Sequence, residues 1–531
     1  MKYIRYIAVA LIGVVPLAGC NDDLLDKAPI TTLNPSTFWT SEDDAILAVN
    51  ALYAYLPGYE AISFDKYSDI AVSSSIGGND YIRGQTSSTE PMFENDWNRG
   101  YDAVRAANYL LENIELISDM NADLKSRIIG EARFIRALRY TYLVAHFGDV
   151  PFFEKTMTPE EAATIGLTDK ELIWDFIDAE LSDIASDLPV SYDEPERERI
   201  THGAALAFHA RAMLYAGRFA KARDAAKAVI DLNVYELHDN YAELFQYVGE
   251  NNKEVILQRG YAQNILPTNY PDQGPKAGFN GAGRTSVTRT LVDEYETSTG
   301  KSITAGDTDW DYFDPYKNRD PRLQATVWLP VFGSGTYSDF RLNTSIPFDT
   351  RPGQSGDSPD YVNGSNVATT TGFMVKKYLD PLDASNKDNG GINFINIRYA
   401  DVLLMYAEAK IELGEIDATV VDAINEVRQR ASVNLPAIGS GDQATMRAQV
   451  RHERMVELAM EGLRFYDIRR WKTALDIMQG PIPGMVYLPL GNESAGPDTI
   501  VWEATVRTYA EADYEFPIPF RETQINPNLI K

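Results

Sequence analysis

Apolar residues recur at helical spacing over several stretches of this chain. Between Pro35 and Pro57, Ala45, Leu47, Ala48, Ala51, Leu52 and Tyr55 line one stripe, and Ser41 ahead of Glu42, Asp43 and Asp44 supplies an N-cap with acids in the first turn. A second helix is expected from near Trp97 and Tyr101 to Leu111. A third runs over about 122–146, with Ala132, Phe134, Ile135, Leu138, Tyr142 and Leu143 on one face. The clearest periodicity lies at 201–231, where two small-residue helices flank Ala216-Gly217-Arg218 and the glycine suits a tight turn. The stretch 399–430 repeats it. Aligning Gly414 on Gly217 places Ala407 on Ala210, Ala409 on Ala212, Ile411 on Leu214 and Ala423 on Ala226. Small residues at these positions let paired helices approach closely, as in tetratricopeptide repeats of about 34 residues. The two copies are far apart in the chain, so a long insertion separates them.

That insertion, about 258–396, carries no helical period. It is rich in Gly, Pro, Asn, Asp, Ser and aromatics, for example Phe279-Asn280-Gly281, Trp310-Asp311-Tyr312-Phe313 and Pro352-Gly353. So long a structureless loop is improbable, and short strands, turns and brief helices packed on the helical part are expected. Residues 58–95, with Ser73-Ser74-Ser75 and Gly77-Gly78-Asn79-Asp80, read as a long loop, and 480–531 read as irregular. Arg451–Trp471 reads as a helix with buried ion pairs. Glu453, Glu457 and Glu461 would repel at i, i+4 unless Arg454 and Arg464 answer them.

The net charge is −28, from 77 acidic and 49 basic residues over 531. A nucleic-acid binder needs a basic footprint, so that class is excluded. Hydrophobic residues at 44% and charged residues at 24% are a globular composition. The single cysteine, Cys20, excludes an intramolecular disulfide, a cysteine zinc site and an iron–sulfur cluster. Residues 1–19 have a basic start at Lys2 and Arg5 and an apolar run from Ile7 to Val15, which is a secretory signal too short to span a bilayer. Leu17-Ala18-Gly19-Cys20 resembles a bacterial lipobox, which implies a lipid on Cys20. Asn21-Asp22-Asp23 resembles the export signal of Bacteroidetes lipoproteins bound for the outer face of the outer membrane.

Enzymatic motifs fail on inspection. Five scattered histidines form no metal signature, Gly300-Lys301-Ser302 lacks the first glycine of a phosphate loop because Tyr295 stands there, and no Gly-x-Ser-x-Gly elbow occurs. With so many acids some carboxylate pair is always available for glycoside hydrolysis, so the sequence gives that reading no support. No catalytic residue, cofactor or metal site is expected. Aromatics in polar loops point to another chemistry. A sugar ring has an apolar C–H face, which Trp or Tyr covers, and a hydroxyl rim, which Asn, Asp and Arg bind. Loop position and residue type nominate Asn79, Asp80, Tyr81, Arg83, Phe279, Arg284, Trp310 and Tyr312. For each aromatic, stapling its loop to the core is an equally good reading.

Ordered motifs spread along the chain carry a family resemblance. They include Leu24-Leu25-Asp26, Phe38-Trp39, Ala51-Leu52-Tyr53, Trp97, Ala107-Asn108 and Arg319-Asp320-Pro321-Arg322. With them go Arg398-Tyr399-Ala400-Asp401 through Ala409, Asn425-Glu426-Val427-Arg428, Glu461-Gly462, Arg469-Arg470-Trp471 and Phe516-Pro517-Ile518-Pro519. The ordered set resembles the SusD/RagB family of outer-membrane nutrient-binding lipoproteins. The resemblance implies a mainly α fold of tetratricopeptide-type helix pairs with a large irregular portion, as one domain over 20–531. Its scaffold would span about 35–57, 97–257 and 397–478, with ligand loops at about 58–95 and 258–396. It implies non-catalytic capture of an oligosaccharide, or in some members peptides, and a SusC-like TonB-dependent transporter as partner. Ligand residues of the family lie in variable loops, so no site residue transfers by motif.

Overall fold

The computed structural model describes residues 38–75, 79–303, 310, 315–330, 350–351, 362, 369–487 and 500–530. The leader, Cys20 and Tyr312 lie outside them. The helical half begins with α1 (Glu42–Leu52), which starts in a capping box: the Ser41 side chain accepts from Asp44 N–H, and the Asp44 carboxylate accepts from Ser41 N–H. Helix α2 (Pro91–Asn113) starts well before Trp97, because Pro91 occupies the first turn, where its missing N–H costs nothing. Helices α3 (Ala122–Phe147), α4 (Lys170–Ile184), α5 (His202–Tyr215) and α6 (Phe219–Asp231) follow. After the insertion come α7 (Tyr399–Glu412), α8 (Ala418–Arg428), α9 (Gln443–Glu457) and α10 (Arg464–Arg470).

The α5–α6 and α7–α8 turns are built alike. Gly217 (φ +71°) and Gly414 (φ +75°) adopt the left-handed conformation that glycine accepts without a Cβ penalty. In each, the next residue's N–H reaches back to the third-last helical carbonyl, Arg218 to Met213 at 2.8 Å and Glu415 to Lys410 at 2.9 Å. Each helix from α2 to α8 packs on the one before it, so α6 lies directly on α7. The two copies of the small-residue pattern are therefore neighbours in space, and the insertion loops out between them.

The insertion is closed at its base. Strand β2 (Val255–Arg259) pairs antiparallel with β6 (Phe394–Arg398), tying its two ends together. A short antiparallel pair joins β1 (Ala71–Ser73), from the 58–95 region, to β3 (Thr285–Val287) of the insertion, and another joins β4 (Val327–Trp328) to β5 (Met374–Val375) within it. These segments surround their own apolar cluster, which contains Phe279, Trp328, Phe373, Tyr378 and Phe394. The region 58–95 is not one long loop: it holds a 3-10 segment, Tyr59–Tyr67, then β1 and the start of α2. The region after 480 is not wholly irregular either. Strand β7 (Gly480–Tyr487) pairs with β8 (Ile500–Arg507), accommodating Pro481 and Pro483 through register shifts.

A buried ion-pair network joins the two halves, and its cations differ from those expected. Arg454 turns to Asp401 and Asp467, both at 3.0 Å, and Arg464 to Asp69 at 2.8 Å. The repelling glutamates are answered by arginines distant in sequence. Glu457 accepts from Arg398 at 2.7 Å and from Arg430 and Arg322 at 2.8 Å; Glu453 pairs with Arg428 at 2.9 Å; Glu461 pairs with Arg398 and Lys377 at 2.7 Å. Sequence spacing showed the repulsion but not which remote cations relieve it. No described helix is long and apolar enough to cross a membrane.

Candidate functional site

An open cleft of about 520 Å³ lies where the 3-10 segment meets the insertion. Tyr59, Glu60, Ile62 and Ser63 line it from one side, Tyr261, Pro267–Tyr270 and Gln273 from the insertion, together with Thr285 of β3 and Asp388. Three tyrosine rings cluster there. Tyr59 stacks on Tyr270 at 4.2 Å between centroids and lies tilted against Tyr261 at 5.3 Å. Tyr59 donates to the Ile392 carbonyl at 2.9 Å and Tyr270 to the Lys377 carbonyl at 3.3 Å, which fixes both rings. Tyr59 and Tyr261 are partly exposed, whereas Tyr270 is buried and backs the Tyr59 ring rather than offering a face of its own; the Arg259 guanidinium sits 5.5 Å from the Tyr261 centroid. Burial raises the pKa of all three phenols, so each keeps its proton and stays a hydrogen-bond donor at neutral pH.

Around the rings stand hydroxyls (Ser63, Thr268, Thr285), amides (Asn269, Gln273) and the carboxylates of Glu60 and Asp388. Thr285 donates to Gln273 at 2.9 Å, and Glu60 is held by Arg99 at 2.8 Å. Aromatic faces ringed by hydroxyl, amide and carboxylate groups cover the apolar side of a polyhydroxylated ring and satisfy its rim. Among the described residues no group of three or more His, Cys, Asp or Glu is placed to hold a metal ion.

The nominated residues divide by burial. Phe279 is fully buried in the insertion's apolar cluster, and Tyr81 is 5% exposed, packed edge-on to Tyr67, Phe465 and Phe516 with its hydroxyl on the Asp513 carbonyl at 3.0 Å. Asn79 is buried too, accepting from Ser73 N–H at 2.9 Å and donating to the Ser73 carbonyl at 3.0 Å. In this conformation these three lie in the interior, where they fasten loops to the core. Asp80 and Arg83 are partly exposed and lie 3.8 Å apart. Trp310 is partly buried and donates to the Pro315 carbonyl at 3.2 Å. Arg284 is the nominee beside the cleft. It precedes Thr285, its side chain is 64% exposed, and its Nε donates to buried Asp272 at 2.7 Å. Tyr59, Tyr261, Tyr270, Asn269 and Gln273 were missed. Asn269-Tyr270-Pro271-Asp272 has the same aromatic, polar-loop composition as Trp310-Asp311-Tyr312.

The helix-pair scaffold carrying an aromatic, hydroxyl-lined cleft defines a class of ligand-binding proteins. Comparison with known proteins makes this particular: the chain belongs to the SusD family, whose profile matches residues 244–531. A second profile, described as starch-binding associating with outer membrane, matches 25–214. A SusD-like carbohydrate binding protein from Bacteroides fragilis is 30% identical, with a TM-score of 0.84 over 93% of this chain and 100% of that one. SusD-like protein P25 of Formosa agariphila is 26% identical over 550 residues, covering 96% of this chain and 95% of that protein. Surface glycan-binding protein A from Bacteroides thetaiotaomicron, solved in complex with laminarihexaose, shares the fold at 18% identity, with a TM-score of 0.68 over 92% of this chain and 99% of that one.

Proposed function

We propose that this protein is a non-catalytic, oligosaccharide-binding lipoprotein of the outer membrane. It is anchored by a lipid on Cys20, faces the cell exterior and delivers its ligand to a SusC-like TonB-dependent transporter. The observation that carries the reading is the cleft of Tyr59, Tyr261 and Tyr270 among hydroxyl, amide and carboxylate groups. Its relatives support it: one family profile is described as starch-binding associating with outer membrane, and a fold neighbour was solved with laminarihexaose. Arg284 extends the site along one rim, and the partly exposed Asp80, Arg83 and Trp310, together with Tyr312, complete the proposed glycan contacts. Binding is modest in strength, because an open cleft leaves much of the ligand in solvent and the ligand must pass on to the transporter.

Calorimetry against a panel of neutral oligosaccharides tests the reading. Heat saturating at one site per chain supports it, whereas binding only on a peptide array transfers the cleft to peptides. New reducing ends, abolished by a single carboxylate substitution, would make the protein an enzyme. Radiolabelled palmitate tests the anchor: label that depends on Cys20 supports it, and none removes it.

A further inference from the structure

One rim of the tyrosine cleft carries an excess of positive charge, although acids outnumber bases 77 to 49 along the chain. Buried Asp272 is shared by cations from two loops: Arg284 Nε lies 2.7 Å from one oxygen, and the Lys387 ammonium pairs with the other. Lys66 follows the cleft residue Ser63 in the 3-10 segment, close enough for the Arg284 charge to lower its pKa, after the larger effect of burial. Among the described residues Lys66 pairs with no carboxylate. Exposed Asp388, beside Lys387, is the other acid of this rim. Arg284, Lys387 and Lys66 thus stand against Asp272 and Asp388.

The remaining acids do not reverse that balance. Glu60 is engaged by two guanidinium groups, Arg99 at 2.8 Å and Arg259 at 3.5 Å. Asp65 and Asp383 are buried near Tyr270 and Tyr59, and burial raises the pKa of both, which reduces the negative charge they carry at neutral pH. Arg284 is the cation most open to a ligand. Its side chain is exposed, and among the described residues its two terminal nitrogens make no hydrogen bond. That fork matches the paired oxygens of a carboxylate or a sulfate.

We infer that the cleft takes an acidic oligosaccharide, with a carboxylate or sulfate group of the sugar on the Arg284 guanidinium and with Lys387 and Lys66 adding attraction. This rests on the oligosaccharide reading above and adds to it the charge of the ligand. The tyrosine faces, hydroxyls and amides still hold the uncharged part of the ligand, so the acidic group increases affinity rather than creating it. A rim-exposed charge pair contributes about two- to fivefold in affinity, and salt weakens it.

Calorimetry on the full chain with matched ligand pairs tests this. Oligogalacturonides against their methyl esters probe the carboxylate, and carrageenan oligosaccharides against their desulfated forms probe the sulfate. In at least one pair the acidic member should bind about two- to fivefold more tightly at low ionic strength, with the ratio falling toward one at high salt. The ratio should also fall to one in Arg284→Gln, where Asp272 keeps Lys387, and recover in part in Arg284→Lys. Neutral members that bind as tightly as the acidic ones in both pairs overturn the charge assignment and leave the oligosaccharide reading standing. A preference that survives R284Q removes Arg284 as the contact and overturns the assignment. No heat from any member, acidic or neutral, takes down the oligosaccharide reading and this inference together.

Discussion

Glu457→Gln tests whether the buried ion-pair network holds the two halves together. Glu457 is fully buried, and three guanidinium groups from separate parts of the chain converge on it, Arg398 at 2.7 Å and Arg430 and Arg322 at 2.8 Å. Burial alone would raise its pKa, but Arg430, Arg398 and Arg322 hold it far below the usual carboxylate range. Glutamine keeps the shape, removes the charge and turns an N–H₂ group toward a guanidinium. Each lost charge-assisted bond contributes roughly 1.5–3 kcal/mol. Arg398, Arg430 and Arg322 retain Glu461, Glu254 and Asp320, so the net loss should be about 3–5 kcal/mol, as for breaking one partner of a buried pair. With an unfolding entropy of about 1 kcal/mol/K for a chain of this size, the melting midpoint should fall by about 3–5 °C. The exposed pair of Lys227 and Asp231 is the control, and Asp231→Asn should shift stability by under ~0.5 kcal/mol. Because the folded pKa is depressed, the stabilisation is fully present above the unfolded carboxylate value and is lost as pH falls through the folded one. The deficit of E457Q should hold from pH 8 to about 5 and narrow only below that. Urea and thermal unfolding measure it, and a loss below ~1 kcal/mol at pH 7 would refute the reasoning.

Asp65, buried in the 3-10 segment, accepts from Gly462 N–H at 2.8 Å with one oxygen while the other has no partner, and burial pushes its carboxyl up to about 7. The folded state then binds a proton that the unfolded state lacks between pH 3.8 and about 7, so stability from this group grows as pH falls across that window, by at most ~4 kcal/mol. Asp65→Asn should flatten that slope in pH-dependent melting, and an unchanged slope would exclude Asp65 as its source. Tyr261→Ala should weaken oligosaccharide binding about fivefold, from ~1 kcal/mol of lost ring contact, with little change in melting. Phe279→Ala should instead destabilise the fold by about 3–5 kcal/mol, because its ring is wholly enclosed, and circular dichroism melts separate the two cases.

Much of the scaffold was legible because helical period and turn glycines are local signals. Gly217 and Gly414 marked two turns of the same geometry, and Ser41 marked a helix start. Their stacking across the insertion depends on the pairing of Val255–Arg259 with Phe394–Arg398, a long-range contact that no local pattern reports. The β7–β8 hairpin was hidden by Pro481 and Pro483, which read as loop but sit in an irregular register. The site was legible in composition only. Tyr81 and Tyr261 look alike in sequence, yet one lies edge-on inside a cluster of rings and the other opens on a cleft. Which side of a loop faces solvent is set by packing with partners hundreds of residues away, such as Tyr81 with Asp513.

The most direct test is a crystal structure of the full chain with the tightest-binding oligosaccharide from the calorimetric panel. A sugar ring resting on Tyr261, with its hydroxyls on Asn269, Gln273 or Asp388, is the expected result. An oligosaccharide ordered at another surface, with the tyrosine cleft holding only solvent, would contradict the account.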